Sequence, residues 1–208
     1  MIIAIDGPAA SGKGTLARRL AAHFGVPHLD TGVLYRAVGL NVLRQGKDPA
    51  DADAAVAAAN QLTPDELSDA ALRSDDAAQA ASVVAAIPAV RQALQDFQRD
   101  FAHQPSGAVM DGRDIGTVIA PDADAKIFVT ASVEVRARRR WSELQHADHA
   151  PTLDEVLDDM RRRDARDSGR TVSPLRPADD ALILDTDDLD PDEVFARALA
   201  HVEKTAKP

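Results

Sequence analysis

The chain has 208 residues and a formal net charge of −10, with 45% hydrophobic residues, 3% aromatic residues and no cysteine. The absence of cysteine excludes disulfides, thiolate metal sites and cysteine nucleophiles. The acidic balance argues against sequence-independent binding to nucleic acid, and no apolar run approaches the length of a membrane span.

The elements alternate along the chain. Residues 2–6 (Ile-Ile-Ala-Ile-Asp) are a short apolar run that reads as a buried strand. Residues 13–24 place Leu16, Ala17, Leu20, Ala21 and Phe24 at helical spacing. A short strand at 27–30 leads into a helix at 31–45 that carries Leu34, Val38, Val42 and Leu43. Residues 46–76 are acidic and weakly patterned. Helices follow at 77–86 and 88–103, the second with Pro88 in its first turn. Strands at 107–111 and 125–130, helices at 132–145 and 152–167, a strand at 181–185 and a helix at 192–204 complete the chain. Ser132 is a helix-start signal, and Thr152 with Glu155 forms a capping box.

Apolar strands separated by amphipathic helices imply a parallel sheet covered on both faces. The expectation is one domain over 1–208 with a three-layer α/β/α fold and five parallel strands. Forty residues are Ala, which predicts closely packed helices. In such folds ligands bind beyond the C-terminal strand ends, and three strands end in Asp6, Asp111 and Asp185. The start of the chain has neither the basic nor the long apolar part of a secretory leader, so a cytoplasmic location is expected.

The most specific motif is Gly7-Pro8-Ala9-Ala10-Ser11-Gly12-Lys13-Gly14-Thr15, between the first strand and the first helix. That is the context of a phosphate loop, or P-loop. Its glycines permit a tight turn that aims several N–H groups at one cluster of oxygens. The helix N-terminus adds about half a positive charge, and Lys13 can reach the β- and γ-phosphates of ATP. Gly7, Gly12 and Lys13 fit G-x-x-x-x-G-K, but Gly14 stands where Ser or Thr is usual, and Thr15 comes one residue later. Thr15 and Asp111 are candidates for holding Mg²⁺, directly or through water.

Charge is unevenly spread. Residues 48–76 carry eight carboxylates and one Arg, whereas 136–176 carry ten of the nineteen Arg. Such a cationic stretch is either a solvated face or a site for a compact, highly charged anion. His146 and His149, beside Asp148, read as part of a solvated loop. From these residues alone, a kinase of another small acceptor such as AMP or shikimate stays open. So does a nucleotide-binding module without turnover.

Further stretches resemble the bacterial cytidylate kinases, within the nucleoside monophosphate kinases of the P-loop class. They are Leu29-Asp30-Thr31-Gly32-Val33-Leu34-Tyr35-Arg36, Gln79 to Ser82 through Pro88 and Arg91, Asp111-Gly112-Arg113-Asp114-Ile115-Gly116-Thr117-Val118, Arg163-Asp164-Ala165-Arg166-Asp167 through Arg170, and Pro174-Leu175. The resemblance implies transfer of the ATP γ-phosphoryl group to CMP or dCMP, with Mg²⁺ accompanying ATP. It implies that Arg36, Arg113 and Arg170 hold the acceptor phosphate. Ser82, Arg91 and Asp114 would read the cytosine edge, Arg163 and Asp167 would contact the pentose, and Thr31 would lie near the acceptor nucleotide. Lys13, Arg113, Arg163 and Arg170 are the expected catalytic residues. Arg138, Arg139 and Arg140 fit a hinge into a short lid, 141–151. The chain departs from longer relatives in the acceptor-side insertion, 46–81, which reads as reduced and mainly helical. ATP and CMP or dCMP are the expected partners of a monomer, with no nucleic acid and no membrane.

Overall fold

The computed structural model describes residues 1–145 and 150–205. Five parallel strands lie in the order β2-β3-β1-β4-β5. They are β1 (Ile2–Asp6), β2 (His28–Asp30), β3 (Ala108–Gly112), β4 (Ala125–Thr130) and β5 (Leu182–Asp185). The helices are α1 (Lys13–Phe24), α2 (Thr31–Arg44), α3 (Ala52–Asn60), α4 (Asp75–Val84), α5 (Pro88–Ala102), α6 (Val133–Leu144), α7 (Leu153–Ser168) and α8 (Pro191–Thr205). Short 3₁₀ turns occupy Pro64–Ser68 and Ala70–Arg73, and a π-helical turn occupies Ile115–Ile119.

Both faces of the sheet are covered, as the apolar runs require. On one face, Leu16 and Leu20 of α1 and Ala198 and Val202 of α8 pack on Ile3, Ile5, Val109 and Ile127. On the other, Ala102 joins Ala4, Met110, Ile115 and Ile119. Full burial of Ile or Leu side chains contributes about 1.5–3 kcal/mol each, so the central strands anchor the fold.

A separate cluster holds the stretch that sequence patterning left weakest. Ala54, Ala55, Ala58 and Ala59 form the buried face of α3, against Val42, Val84 and Leu94. Small residues also let α2 and α4 approach closely: a Cβ on Gly39 would lie 2.7 Å from the Ala80 Cβ. The start of α4, two residues before the expected one, follows from Ser74, whose Oγ accepts from Ala77 N at 3.2 Å. The Thr152–Glu155 capping box forms as expected.

The strand-terminal aspartates divide three ways. Asp111 reaches the ligand edge of the sheet. The buried Asp6 carboxylate instead accepts from Ile115 N and Gly116 N at 2.8 Å each. Asp185 is exposed and accepts from Asp187 N at 3.0 Å, as an ordinary turn residue does. Among the described residues no helix is long and apolar enough to cross a membrane.

Candidate active site

β1 ends at the centre of the sheet, and the chain turns through Gly7–Gly12 into α1. Gly7 has φ +153°, and a Cβ there would come within 2.1 Å of the Val129 carbonyl oxygen, so the loop passes too close to β4 for any side chain. Gly12 ends the loop at φ +91°, with no side-chain cap on α1. Ala10 also takes a positive φ, 57°, and Lys13 Nζ donates to the Pro8 carbonyl at 3.3 Å. Burial, followed by the charge of Arg113, pushes Lys13 down to about 7. An anion beside it reverses that trend.

Facing the loop is a cavity of about 510 Å³ walled by α2, α4, α5, the end of β3, α6 and α7. Lys13 and Gly14 line it together with Thr31, Arg36, Ser82, Arg91, Arg113, Asp114, Arg163, Asp167 and Arg170. All nine residues assigned to the acceptor by resemblance therefore meet in one space, opposite the loop.

At one end of the cavity Arg91 of α5 pairs with Asp114, both buried. The Arg91 guanidinium lies 5.4 Å from the centre of the Tyr35 ring. Arg91 Nε and Ser82 Oγ are buried with no hydrogen-bond partner among the described residues. A buried unpaired polar atom costs about 1–3 kcal/mol, so this end carries donors waiting for a polar ligand.

At the other end cations gather. Asp30 accepts from Gly32 N at 2.9 Å, capping α2, and its second oxygen holds Arg36 at 2.7 Å. Burial would raise the Asp30 carboxyl, but the Arg36 guanidinium, Lys13 and the Gly32 N–H outweigh it and hold it below the usual range. Asp167 accepts from Arg113 Nε at 3.0 Å and pairs with Arg170. Despite burial, its carboxyl is held low by Arg113, Arg170 and Arg163. Arg163 Nε is buried without a partner among the described residues, and burial together with Arg113 pushes this guanidinium down to about 10. Five cations around two carboxylates leave an excess suited to phosphate groups.

Asp111 connects the two halves. Its Oδ1 lies 2.7 Å from His28 Nε2, its carbonyl accepts from Thr31 Oγ1 at 2.9 Å, and its Oδ2 would lie 3.7 Å from a Cβ on Gly14. Thr15 is exposed, accepts from Arg18 at 3.3 Å and does not line the cavity. Gly7, Pro8, Ser11 and Gly12 form the turn without lining this space.

Of the three consecutive arginines, Arg138 is exposed, and Arg139 donates to Thr186 Oγ1 and O at 3.0 and 2.6 Å. Arg140 reaches the cavity and pairs with Asp75 across its mouth at 3.1 Å. His146, Asp148 and His149 of the expected lid lie outside the described residues.

Sequence reasoning missed Arg136, which is buried and binds Asp164 through two N–H groups at 3.2 and 2.6 Å. The same side chain reaches the Ala9 carbonyl at 3.3 Å and so ties the P-loop to α7. It also missed His28 and Asp30. Asp30 had a readable signal, an Asp just before a helix.

A glycine turn between a central parallel strand and a helix, facing a deep cation-lined cavity, defines a P-loop phosphotransferase acting on a small anionic acceptor. Residues 3–204 match the family model for cytidylate kinase. A cytidylate kinase of Methylocella silvestris is 62% identical over 203 residues, covering 98% of this chain and 94% of the relative. One of Rhodospirillum rubrum is 60% identical over 203 residues, with 96% and 95% covered. The chain belongs to the cytidylate kinase family. Two solved structures at lower identity share the fold. One is a gluconokinase from Sinorhizobium meliloti (TM-score 0.54, 16% identity, 99% of this chain and 93% of that chain covered). The other is an uncharacterized protein from Eubacterium ventriosum (TM-score 0.59, 17% identity, 98% of each chain covered).

Proposed function

We propose that this kinase transfers the γ-phosphoryl group of ATP to CMP or dCMP, giving CDP or dCDP and ADP. The observation that carries this reading is the buried Arg91–Asp114 pair beside the unpartnered Ser82 Oγ, across one cavity from Lys13. Cytosine presents an exocyclic amine donor beside ring acceptors. Asp114 accepts from the amine, while Arg91 and Ser82 donate to the ring. Uracil has a carbonyl in place of the amine, which would set one acceptor against another.

In this reading the P-loop, residues 7–15, holds the ATP phosphates. Arg36, Arg113 and Arg170 hold the acceptor phosphate, and Arg163 and Asp167 meet the pentose. An oxygen of the acceptor phosphate attacks the γ-phosphorus in line; that P–O bond forms as the bond to the ADP oxygen breaks. No protein nucleophile takes part. Lys13, Arg113, Arg163 and Arg170 offset the repulsion of two polyanions and the charge spread over the transferring group.

Asp111 and Thr15 are the protein groups that would hold Mg²⁺, directly or through water. A carboxylate with an oxygen turned toward the P-loop at Gly14 fits a cation that arrives on ATP phosphates. When bound, Mg²⁺ supplies charge neutralisation between the phosphates. The segment 46–81 serves the acceptor side. In this reading the protein acts as a monomer.

Steady-state rates with CMP, dCMP, UMP, AMP and shikimate test the reading. CMP and dCMP should exceed UMP by about ten- to a hundredfold in kcat/KM. Equal rates with AMP would overturn it.

A further inference from the structure

We propose that Asp6 is a positioning residue for base selectivity, because its carboxylate pins the far foot of the two-residue arch formed by Arg113 and Asp114, while the β1–β3 register holds the near one. The proposal rests on the reading of Asp114 as the group that meets the acceptor base.

The first foot is Gly112, the last residue of β3, which lies opposite Asp6 in the parallel register. The second foot is the start of the π-helical turn. There Ile115 N donates to Asp6 Oδ1 and Gly116 N to Asp6 Oδ2, each at 2.8 Å. Only Arg113 and Asp114 lie between the feet, and both project into the acceptor cavity, Arg113 toward Asp167 and Asp114 toward Arg91. The arch has no regular structure of its own: Asp114 has φ −145° and ψ 23° with no side-chain cap. Its shape is therefore set by what holds its ends.

Asp6 does not line the cavity, and it is 4% exposed. A carboxylate is a costly filler for such a position, since buried charge is strongly disfavoured. Burial pushes Asp6 up to about 7 even against two N–H donors. What the carboxylate offers that an apolar side chain lacks is a pair of equivalent acceptors. Two adjacent amide N–H groups require that pair, and an amide side chain supplies only one such oxygen.

The test is steady-state kinetics of Asp6→Asn with CMP, UMP and ATP varied in turn. Asn keeps the size but turns an NH₂ toward one of the two backbone N–H groups, so one of the two bonds that hold the far foot is lost. The ratio of kcat/KM for CMP over UMP should fall about tenfold, while the KM for ATP stays within about twofold. In an Asp114→Ala background the same substitution should leave the ratio unchanged within about twofold, because the arch no longer has a carboxylate to aim. Gly116→Ala is a second route that leaves Asp6 in place. Its Cβ would press on Lys126 Cδ at 3.2 Å and Cγ at 3.3 Å, while Asp6 Oδ2 at 3.5 Å stays in ordinary contact, so the strain displaces the Gly116 end of the clamp wherever the Lys126 stem does not yield. It should lower the ratio about two- to threefold, and it carries the test alone if Asp6→Asn does not fold.

The positioning role is overturned by an undiminished ratio in the variants that fold. Parallel losses for CMP and ATP, or a loss that persists in the Asp114→Ala background, would overturn it as well. A wild-type enzyme with no preference for CMP over UMP would refute the functional reading instead, so the two failures are distinct.

Discussion

Two residues of the cavity show how a site differs from a core. Asp114 is buried and paired with Arg91, so its removal should be felt chiefly at the base. Asp114→Ala should reduce kcat/KM for CMP by about ten- to a hundredfold with little change in ATP binding; calorimetry with an ATP analogue gives the second half of that comparison. Arg163 is the opposite case, a buried guanidinium with an unpartnered Nε among other cations. Arg163→Met removes that burden, so the ligand-free protein should gain about 1 kcal/mol in thermal or denaturant unfolding while kcat falls about a hundredfold or more. Stability and turnover moving together would argue against an electrostatic role. The acceptor residues that resemblance pointed to are local motifs, legible because each spans a few positions. The pairs His28–Asp111 and Arg136–Asp164 join residues 83 and 28 positions apart. They left no local signature among so many Arg and Asp.

At the scale of elements, the α2–α4 contact is a tightly packed one in the acceptor half. Gly39→Ala would place a Cβ 2.7 Å from the Ala80 Cβ and 2.9 Å from the Ala80 carbonyl carbon. Backbone on one side cannot swing away, so α4 must shift. A loss of about 1–3 kcal/mol in unfolding free energy is expected. Because Ser82 rides on α4, the KM for CMP should rise more than the KM for ATP; equal changes would place the damage elsewhere. The order of helices and strands was legible from apolar spacing, with ends displaced by one or two residues where a cap decided them, as Ser74 does for α4. The helix α3 was not, because its buried face consists of Ala, which carries little contrast against its surroundings. The π-helical turn Ile115–Ile119 was hidden for another reason. Its first N–H groups are held by a carboxylate more than a hundred positions earlier, a partner that no local pattern announces.

For the whole molecule, the parallel sheet gathers the ends of β1, β2 and β3 at one edge, which is why distant segments share one site. The outer surface is acidic while the cavity is cationic, a distribution that focuses anions inward and makes their capture dependent on ionic strength. Global stability should also carry a mark of Asp6. Its folded-state value, about 7, lies above the ordinary 3.8. Its contribution is therefore complete below pH 3.8 and disappears as pH rises through about 7. The difference in unfolding free energy between wild type and Asp6→Asn should shrink over that interval, by about 4 kcal/mol at most. A difference independent of pH would show that the buried carboxyl does not titrate there.

Asp167 receives Arg113 on one oxygen and Arg170 on the other. If it also meets the pentose, as proposed, one side chain serves two recognition tasks. Mutational routes toward a new sugar preference are then constrained: an altered Asp167 frees two guanidiniums at once and loosens the grip on the phosphoryl acceptor. Selection for another ribose chemistry would have to recruit changes elsewhere along α7 before this carboxylate could be exchanged.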